Sequence, residues 1–201
     1  MSNPIHVMWR LNLRPNAYEM SEEALKAIRK KSAESLASVG GETVLKLDTQ
    51  WSNEKWQKAG VIKYPSMQAL QTHTKNLEKV EWFRFHEAET LLGVVLFDED
   101  IEMPNPIYVM WRLNVRPTLY DLSEEKVQQM QKVRDESLAR VGAKKVLQLD
   151  TRWSNEKWQF AGVMKYPSLG ALQTFTKSLK DVGWFRAVET ETLPGIEQKE
   201  E

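Results

Sequence analysis

The chain contains no cysteine, which excludes disulfide bonds, thiolate metal sites and cysteine nucleophiles together. No apolar run approaches the roughly 20 residues that a membrane-spanning helix needs, and the N-terminal residues lack the basic-then-apolar order of a signal peptide. Net charge is also missing, because 28 basic residues balance 28 acidic ones. A nucleic-acid-binding protein normally carries a basic patch or stripe. We therefore expect a cytoplasmic protein with neither a nucleic acid nor a membrane as its partner.

The sequence also lacks the short motifs that identify a reaction. It has no HExxH helix for a metal, no Gly-rich loop for a phosphate and no serine nucleophile elbow. On these grounds we expect no metal and no organic cofactor.

An internal repeat is what the chain does contain. The stretch WSNEKWQKAGVIKYPS at residues 51–66 recurs as WSNEKWQFAGVMKYPS at residues 153–168. A shift of roughly 102 residues aligns 3–93 with 105–195 without a gap, and roughly 57 of the 91 aligned pairs are identical. The repeat predicts two ferredoxin-like units, residues 1–98 and 105–201, joined by a linker at residues 99–104.

Each repeat has the pattern of a small α+β unit. Strict alternation of apolar and polar residues predicts a strand at residues 5–14, and Ser21 caps a helix that ends before Gly40. Two strands at 43–51 and 56–64 form a hairpin, a second helix begins after Ser66, and a fourth strand covers 82–91. The predicted order is β-α-β-β-α-β, and the second repeat follows it with Ser123 and Ser168 as caps.

Helices on one face of each predicted sheet leave the other face bare, and two such faces can bury each other. We therefore predict an α+β fold with two ferredoxin-like repeats packed sheet to sheet. This order, the KYPS ending before an A-L helix and the closing WFR..E.ET.L.G resemble the dimeric α+β barrel superfamily. The resemblance implies an intramolecular dimeric α+β barrel.

Members of this superfamily include cofactor-free antibiotic-biosynthesis monooxygenases, haem-degrading monooxygenases, chlorite dismutases and lactone isomerases. The resemblance implies a small-molecule-binding protein, either a cofactor-independent monooxygenase or an isomerase that acts on an aromatic or polyketide-like compound. The alternative is a non-catalytic binding or interaction scaffold, and the sequence leaves a homodimer of the two-repeat chain open. In haem-degrading relatives an iron-binding histidine stands where this chain has Phe83, which counts against haem.

Large aromatic residues share the side of each predicted sheet that faces the helices. By strand parity they are Trp9, Trp56, Tyr64, Trp111, Trp158 and Tyr166. Such residues fill space between helix and sheet in most proteins. The second interpretation is a slot for a flat apolar ligand, since in the resembling monooxygenases a pocket tryptophan stands where this chain has Tyr64 or Tyr166.

Arg10 and Arg112 fall on the other face of the first strand in their repeats, where a buried charge needs a partner. One interpretation pairs them across the repeat interface with the acidic candidates Asp48, Glu87, Asp150 and Glu189. The other makes them the receptor for an anionic ligand.

All three histidines lie in the first repeat. They are His6, His73 and His86, and their counterparts are Tyr108, Phe175 and Val188. The asymmetry predicts a working pocket in the first repeat, with His73 and Tyr64 as candidate catalytic residues, because His73 shares a helix face with Leu70 and Leu77. Three differences among many can also arise by chance.

Overall fold

The structure is a computed structural model, and it describes residues 4–98 and 105–198. The described residues form two compact units, one of residues 4–94 with 197–198 and one of residues 95–98 with 105–196. Within these ranges every helix is too short or too polar to span a bilayer. The predicted linker, residues 99–104, lies outside the described residues, and the predicted unit boundaries stay a prediction.

The first repeat has the β-α-β-β-α-β order of a ferredoxin-like unit. Its elements are strand β1 (Ile5–Leu13), helix α1 (Glu22–Ser38), strands β2 (Glu42–Asp48) and β3 (Lys58–Tyr64), helices α2 (Met67–Lys79) and α3 (Trp82–Phe85), and strand β4 (His86–Asp98). Strand β1 pairs antiparallel with both β3 and β4, and β2 pairs antiparallel with β3.

The second repeat has the same elements in the same order. They are strand β5 (Ile107–Val115), helix α4 (Glu124–Arg140), strands β6 (Lys144–Asp150) and β7 (Phe160–Tyr166), helices α5 (Leu169–Asp181) and α6 (Trp184–Ala187), and strand β8 (Val188–Glu197). Its antiparallel pairs, β5 with β7 and β8, and β6 with β7, match those of the first repeat.

Serine caps begin the four long helices, as predicted. The Oγ atom of each accepts a hydrogen bond from the backbone N–H three residues later, in Ser21, Ser66, Ser123 and Ser168. An N-cap of this kind satisfies one of the N–H groups that a helix leaves without a partner. The sequence therefore specifies where these helices begin.

The predicted fourth strand at 82–91 begins too early. Glu81 has a φ of 55° and its counterpart Gly183 a φ of 82°, both in the left-handed region, and each reverses the chain into one helical turn. Helix α3 therefore occupies Trp82–Phe85, and strand β4 starts at His86. The hairpin strands are also shorter than predicted, because a structured turn separates Asp48 from Lys58.

The predicted packing of the two repeats is wrong. Sequence analysis predicted two ferredoxin-like repeats packed sheet to sheet as an intramolecular dimeric α+β barrel. The described strands instead pair edge to edge within each repeat, in the antiparallel orders β2-β3-β1-β4 and β6-β7-β5-β8. Strand periodicity predicts which residues share a face, but it contains no information about which strand edges meet.

Each repeat buries its apolar residues between its strands and its long helices. In the first repeat Ile5, Val7 and Tyr64 pack against residues of α1 and α2, which include Leu36 and Leu70. In the second repeat Val109, Met164 and Tyr166 pack with Leu138 and Phe175 in the same way. The odd-numbered residues of β1 and β5 therefore face the helices, as the alternation predicted.

Candidate functional site

A cavity of about 550 Å³ lies in the second repeat between its strands and helices α4 and α5. Val109, Trp111, Met164 and Tyr166 contribute to its sheet side. The helix side is equally apolar and includes Met130, Leu138, Phe175 and Leu179. The site is thus a mainly apolar space above one face of a sheet, a common form of small-molecule site.

Gly162 shapes the floor of this cavity. Residue 162 pairs with Trp111 across β5 and β7, and a Cβ atom at 162 would lie 2.5 Å from Cζ2 of the Trp111 ring. The absence of that atom lets the indole lie against the neighbouring strand. Gly60 and Trp9 have the same relation in the first repeat, where the corresponding distance is 2.6 Å.

Polar groups are few among the lining residues. Arg134 and Lys145 are the cations, and none of the described lining residues is acidic. Arg134 is held by Asp135, with 2.9 Å between Nε and Oδ1, and lies over the Trp184 ring at 5.5 Å. Within the described residues, the buried Nε1–H of Trp111 has no hydrogen-bond acceptor. The cavity therefore has positive charge but no negative charge on its wall.

Two of the predicted ligand-binding residues, Trp111 and Tyr166, line the cavity. Their counterparts Trp9 and Tyr64 hold the same positions in the first repeat. Burial raises the pKa of Tyr64 and of Tyr166 far above the ordinary value. Both phenols are therefore neutral at physiological pH, and neither is a phenolate base or metal ligand there.

Trp56 and Trp158 do not share the helix-facing side, contrary to the parity argument. They precede β3 and β7, outside the regular alternation, and each ring stacks on an arginine instead. The Arg10 guanidinium lies 5.1 Å from the Trp56 ring centroid, and that of Arg112 lies 4.5 Å from the Trp158 centroid. These are cation–π contacts on the sheet face opposite the helices.

The carboxylate partners of the two arginines also differ from the predicted set. Arg10 pairs with Glu89 at 3.2 Å, and Arg112 pairs with Glu191 at 2.6 Å. Each glutamate is the register partner of its arginine on the adjacent strand of the same repeat. The candidates Asp48, Glu87, Asp150 and Glu189 are therefore wrong. Pairing within the repeat makes the arginines part of the sheet, and their ligand-binding role stays a prediction.

His73 and Tyr64, the two candidate catalytic residues, are close together in the first repeat. Their ring centroids are 5.9 Å apart, and His73 Nδ1 is hydrogen bonded to Ser35 Oγ at 3.1 Å. Burial lowers the pKa of His73, so its imidazole is neutral at pH 7. The described cavity belongs to the second repeat, where Phe175 replaces this histidine. Catalysis by His73 and Tyr64 stays a prediction.

His86 is packed against its own short helix. Its ring stacks on Trp82 at 4.2 Å, and its Nδ1–H donates to the Trp82 carbonyl oxygen at 2.9 Å. Burial is the main cause that lowers the pKa of His86. His6 is also buried. The three histidines therefore sit at separate positions rather than in one constellation.

Sequence reasoning missed much of the cavity wall. Met130 from α4, Phe160 from β7 and Lys145 from β6 line it, and none was among the predicted site residues. Comparison of the repeats offered a signal, because these positions carry Ile28, Lys58 and Thr43 in the first repeat. Large differences between aligned residues of the two repeats are therefore the sequence signal that could have identified these positions.

No protein-family model and no curated protein sequence matches this chain. Solved structures with the same fold include a doubly substituted chlorite dismutase from Candidatus Nitrospira defluvii, with a TM-score of 0.78 and 9% identity over 99% of this chain and 93% of that one. The chlorite dismutase of that organism in complex with imidazole has a TM-score of 0.76 and 8% identity, over 98% and 91% of the chains. A substituted form in complex with cyanide has a TM-score of 0.75 and 10% identity, over the same shares. The likeness shows that the chain has the ferredoxin-like α+β fold of chlorite dismutases.

These neighbours correct the predicted function. The expectation of a cofactor-independent monooxygenase or isomerase is wrong, because these solved structures, which share the fold over nearly the whole chain, are chlorite dismutases. The motifs behind that expectation, KYPS and WFR..E.ET.L.G, are now explained by local structure. Ser66 in KYPS is a helix cap, and WFR forms the helical turn before the last strand.

Proposed function

We propose that the second repeat binds a small molecule that is mainly apolar and carries one acidic group. The observation that carries this proposal is the cavity of about 550 Å³, with its apolar wall and its two cations. Typical sites for small ligands span roughly 300–1,000 Å³ and combine an apolar lining with a few polar groups. An uncharged apolar ligand would leave the Lys145 ammonium group in the cavity wall without an anion.

Lys145 is the group that would hold the acidic end. Arg134 is already engaged by Asp135, whereas Lys145 is half-buried and forms no ion pair within the described part of the chain. An ammonium group that loses water without gaining an anion is costly, and a carboxylate within hydrogen-bond distance removes that cost. The first repeat has Thr43 at this position, so the charge is specific to the repeat with the cavity.

Haem requires a separate test, because the superfamily that the chain resembles includes haem-degrading enzymes. Protein ligands to haem iron are normally histidine, cysteinate, methionine paired with histidine, or tyrosinate. The described cavity wall offers no histidine, the chain has no cysteine, and burial keeps the Tyr166 phenol protonated. Met130 and Met164 are thioethers without a histidine to complete the pair. The residues that line this cavity do not fit haem.

Paired fluorescent probes test the proposal directly. We expect 9-anthracenecarboxylate to bind in the cavity with micromolar affinity, and 9-anthracenemethanol, which has the same rings without the charge, to bind about tenfold more weakly. Lys145→Thr installs the residue of the first repeat and should abolish the preference for the carboxylate. Lys144→Thr removes the same charge from the exposed neighbouring position and should leave both affinities unchanged.

Two results would contradict the proposal. If neither probe binds, the cavity is not a ligand site. If the carboxylate binds equally well to the Lys145→Thr and Lys144→Thr variants, Lys145 does not hold the acidic group. A parallel titration with ferric haem tests the donor argument, since a Soret band typical of protein-ligated iron would show that the cavity accepts haem after all.

A further inference from the structure

Four positions of the cavity wall carry very different side chains in the two repeats. In the second repeat they are Gln131, Gln148, Phe160 and Val188, which all line the cavity. In the first repeat the aligned residues are Arg29, Lys46, Lys58 and His86. At these four positions the space between helices and sheet is thus bordered by basic residues in the first repeat and by neutral ones in the second.

Strand register places the two lysines together. Lys46 is the pairing partner of Gly60, and Lys58 is the partner of Asp48, on the hairpin of β2 and β3. Directly paired residues of antiparallel strands project from the same face of the sheet, as do residues two apart on one strand. Lys46, Asp48 and Lys58 therefore share the face that, in the second repeat, forms the cavity floor.

Arg29, on helix α1, adds a third positive charge to those of Lys46 and Lys58. Burial, followed by the charges of Lys46 and Arg29, lowers the pKa of Lys58, and Asp48 opposes the shift. The charge of Arg29 also contributes to the lowered pKa of His86. The aligned residues of the second repeat all border one cavity, which places Arg29, Lys46, Lys58 and His86 around the corresponding space of the first repeat. The action of the Arg29 charge on residues of β3 and β4 agrees with this placement.

The cations of this group form no ion pair within the described residues, although Asp48 lies opposite Lys58 on the adjacent strand. No ion pair or side-chain hydrogen bond is present for Arg29, Lys46 or Lys58 within residues 4–98 and 105–198, and Asp48 is the single acidic group that acts on Lys58. Like charges that are crowded together and partly desolvated are unfavourable. An external anion would relieve that repulsion.

We propose that the first repeat contains a binding site for a small oxyanion, a phosphate or carboxylate group, between Arg29, Lys46 and Lys58 and beside His86. A guanidinium and two ammonium groups provide donors to several oxygen atoms of one anion. The site is independent of the ligand site proposed for the second repeat, since none of its residues borders that cavity.

Calorimetric titration of the full chain with inorganic pyrophosphate and with citrate tests this site and separates phosphate from carboxylate. We expect saturable binding of at least one anion at constant ionic strength. Lys46→Gln combined with Lys58→Phe installs the residues of the second repeat, which that repeat accommodates at the same register positions. This variant should bind about tenfold more weakly or not at all.

Lys132→Gln together with Lys177→Gln is the matched control, because it removes two positive charges from exposed helix positions elsewhere. It should bind the anions as the unmodified chain does. Equal weakening in the control and in the site variant would overturn the proposal, and so would an absence of saturable binding for both anions. If the double site variant does not fold, Lys46→Gln alone provides the same comparison.

Discussion

At the scale of single residues, Gly162 determines how the floor of the cavity is built. A methyl group at this position would lie 2.5 Å from Cζ2 and 2.7 Å from Cε2 of Trp111, and it would also meet the Leu147 backbone carbonyl. The backbone cannot move without disturbing the pairing of β6 with β7, so the indole must tilt into the cavity. The packing of the Trp111 ring thus requires that residue 162 has no Cβ atom.

We predict that Gly162→Ala lowers the free energy of unfolding by about 1–3 kcal/mol, the usual cost of overpacking. It should also weaken binding of the anthracene probes, because the displaced Trp111 ring fills part of the site. Urea unfolding followed by tryptophan fluorescence measures the first effect. Gly170→Ala is the control, since its added Cβ lies 3.7 Å from Ser168 Oγ in a helix, and it should not destabilise the chain. Equal stability of the two variants would contradict this account.

Two of the three buried histidines of the first repeat, His73 and His86, predict a pH dependence. Burial lowers the pKa of both His73 and His86 in the folded chain, whereas an unfolded histidine titrates near 6.5. Below that value the unfolded state binds more protons than the folded state, so stability falls as the pH falls from 7 toward 5. Above about pH 7 both states are neutral and the effect vanishes.

Replacement of both histidines by the residues of the second repeat tests this dependence. We expect His73→Phe with His86→Val to flatten the change in unfolding free energy between about pH 7 and pH 5 relative to the unmodified chain. Chemical denaturation at several pH values measures the slope. An unchanged slope would mean that both histidines can be protonated without loss of the fold.

At the scale of elements, the side chains of the WSNEKW turn, which is identical in both repeats, form the hydrogen bonds that hold the turn together. Asn155 Oδ1 accepts hydrogen bonds from the backbone N–H groups of Lys157 and Trp158, and Thr151 Oγ1 donates to the Trp158 carbonyl oxygen. The turn thereby positions the Trp158 ring so that its centroid lies 4.5 Å from the Arg112 guanidinium. The repeated sequence has a structural role in this position.

We predict that Asn155→Ala costs about 1–2 kcal/mol of stability, since two backbone donors lose their acceptor. Glu156→Ala, at the exposed next position, should change stability by less than about 0.5 kcal/mol. The comparison uses urea unfolding of both variants. If the two substitutions have equal effects, the identity of the turn in both repeats needs another explanation.

Local signals in the sequence specified the helices and strands, but not which strands pair with each other. Caps such as Ser66 and the alternation of residues 5–13 depend on neighbours in the chain, and both were predicted correctly. Trp56 was misassigned because strand parity was extended into a turn whose hydrogen bonds were not recognised. The partner of Arg10 is Glu89, 79 positions later, and only the register of β1 with β4 brings the two together.

The sequence predicted the kind of residues that line the candidate site, but it did not predict which repeat contains the cavity. The sequence indicated aromatic residues on the helix-facing side, and Trp111 and Tyr166 line the cavity there. The histidine asymmetry directed attention to the first repeat, while the described cavity lies in the second. Whether a space stays open depends on how several side chains fill it together, and no single residue type signals that outcome.

At the scale of the whole molecule, the two repeats share one fold but differ in the side chains between their strands and helices. The second repeat has Phe160, Gln148 and Phe175 where the first has Lys58, Lys46 and His73. Duplication leaves the backbone scaffold in place, so these differences fall on the lining and change the chemistry of the space. The two proposed sites are therefore separable by exchange of side chains at aligned positions.

This separation leads to a reciprocal prediction. Gln148→Lys with Phe160→Lys introduces the lysines of the first repeat into the cavity wall, where their burial is costly without an anion. We expect affinity for uncharged 9-anthracenemethanol to fall by about tenfold or more and the stability of the variant to become dependent on added pyrophosphate.

The opposite exchange, Lys46→Gln with Lys58→Phe, should leave anthracene binding unchanged, because those residues border a different space. Anthracene fluorescence titration and thermal unfolding with and without pyrophosphate measure both outcomes. Loss of anthracene binding in both exchanged chains would show that the repeats do not act as independent sites.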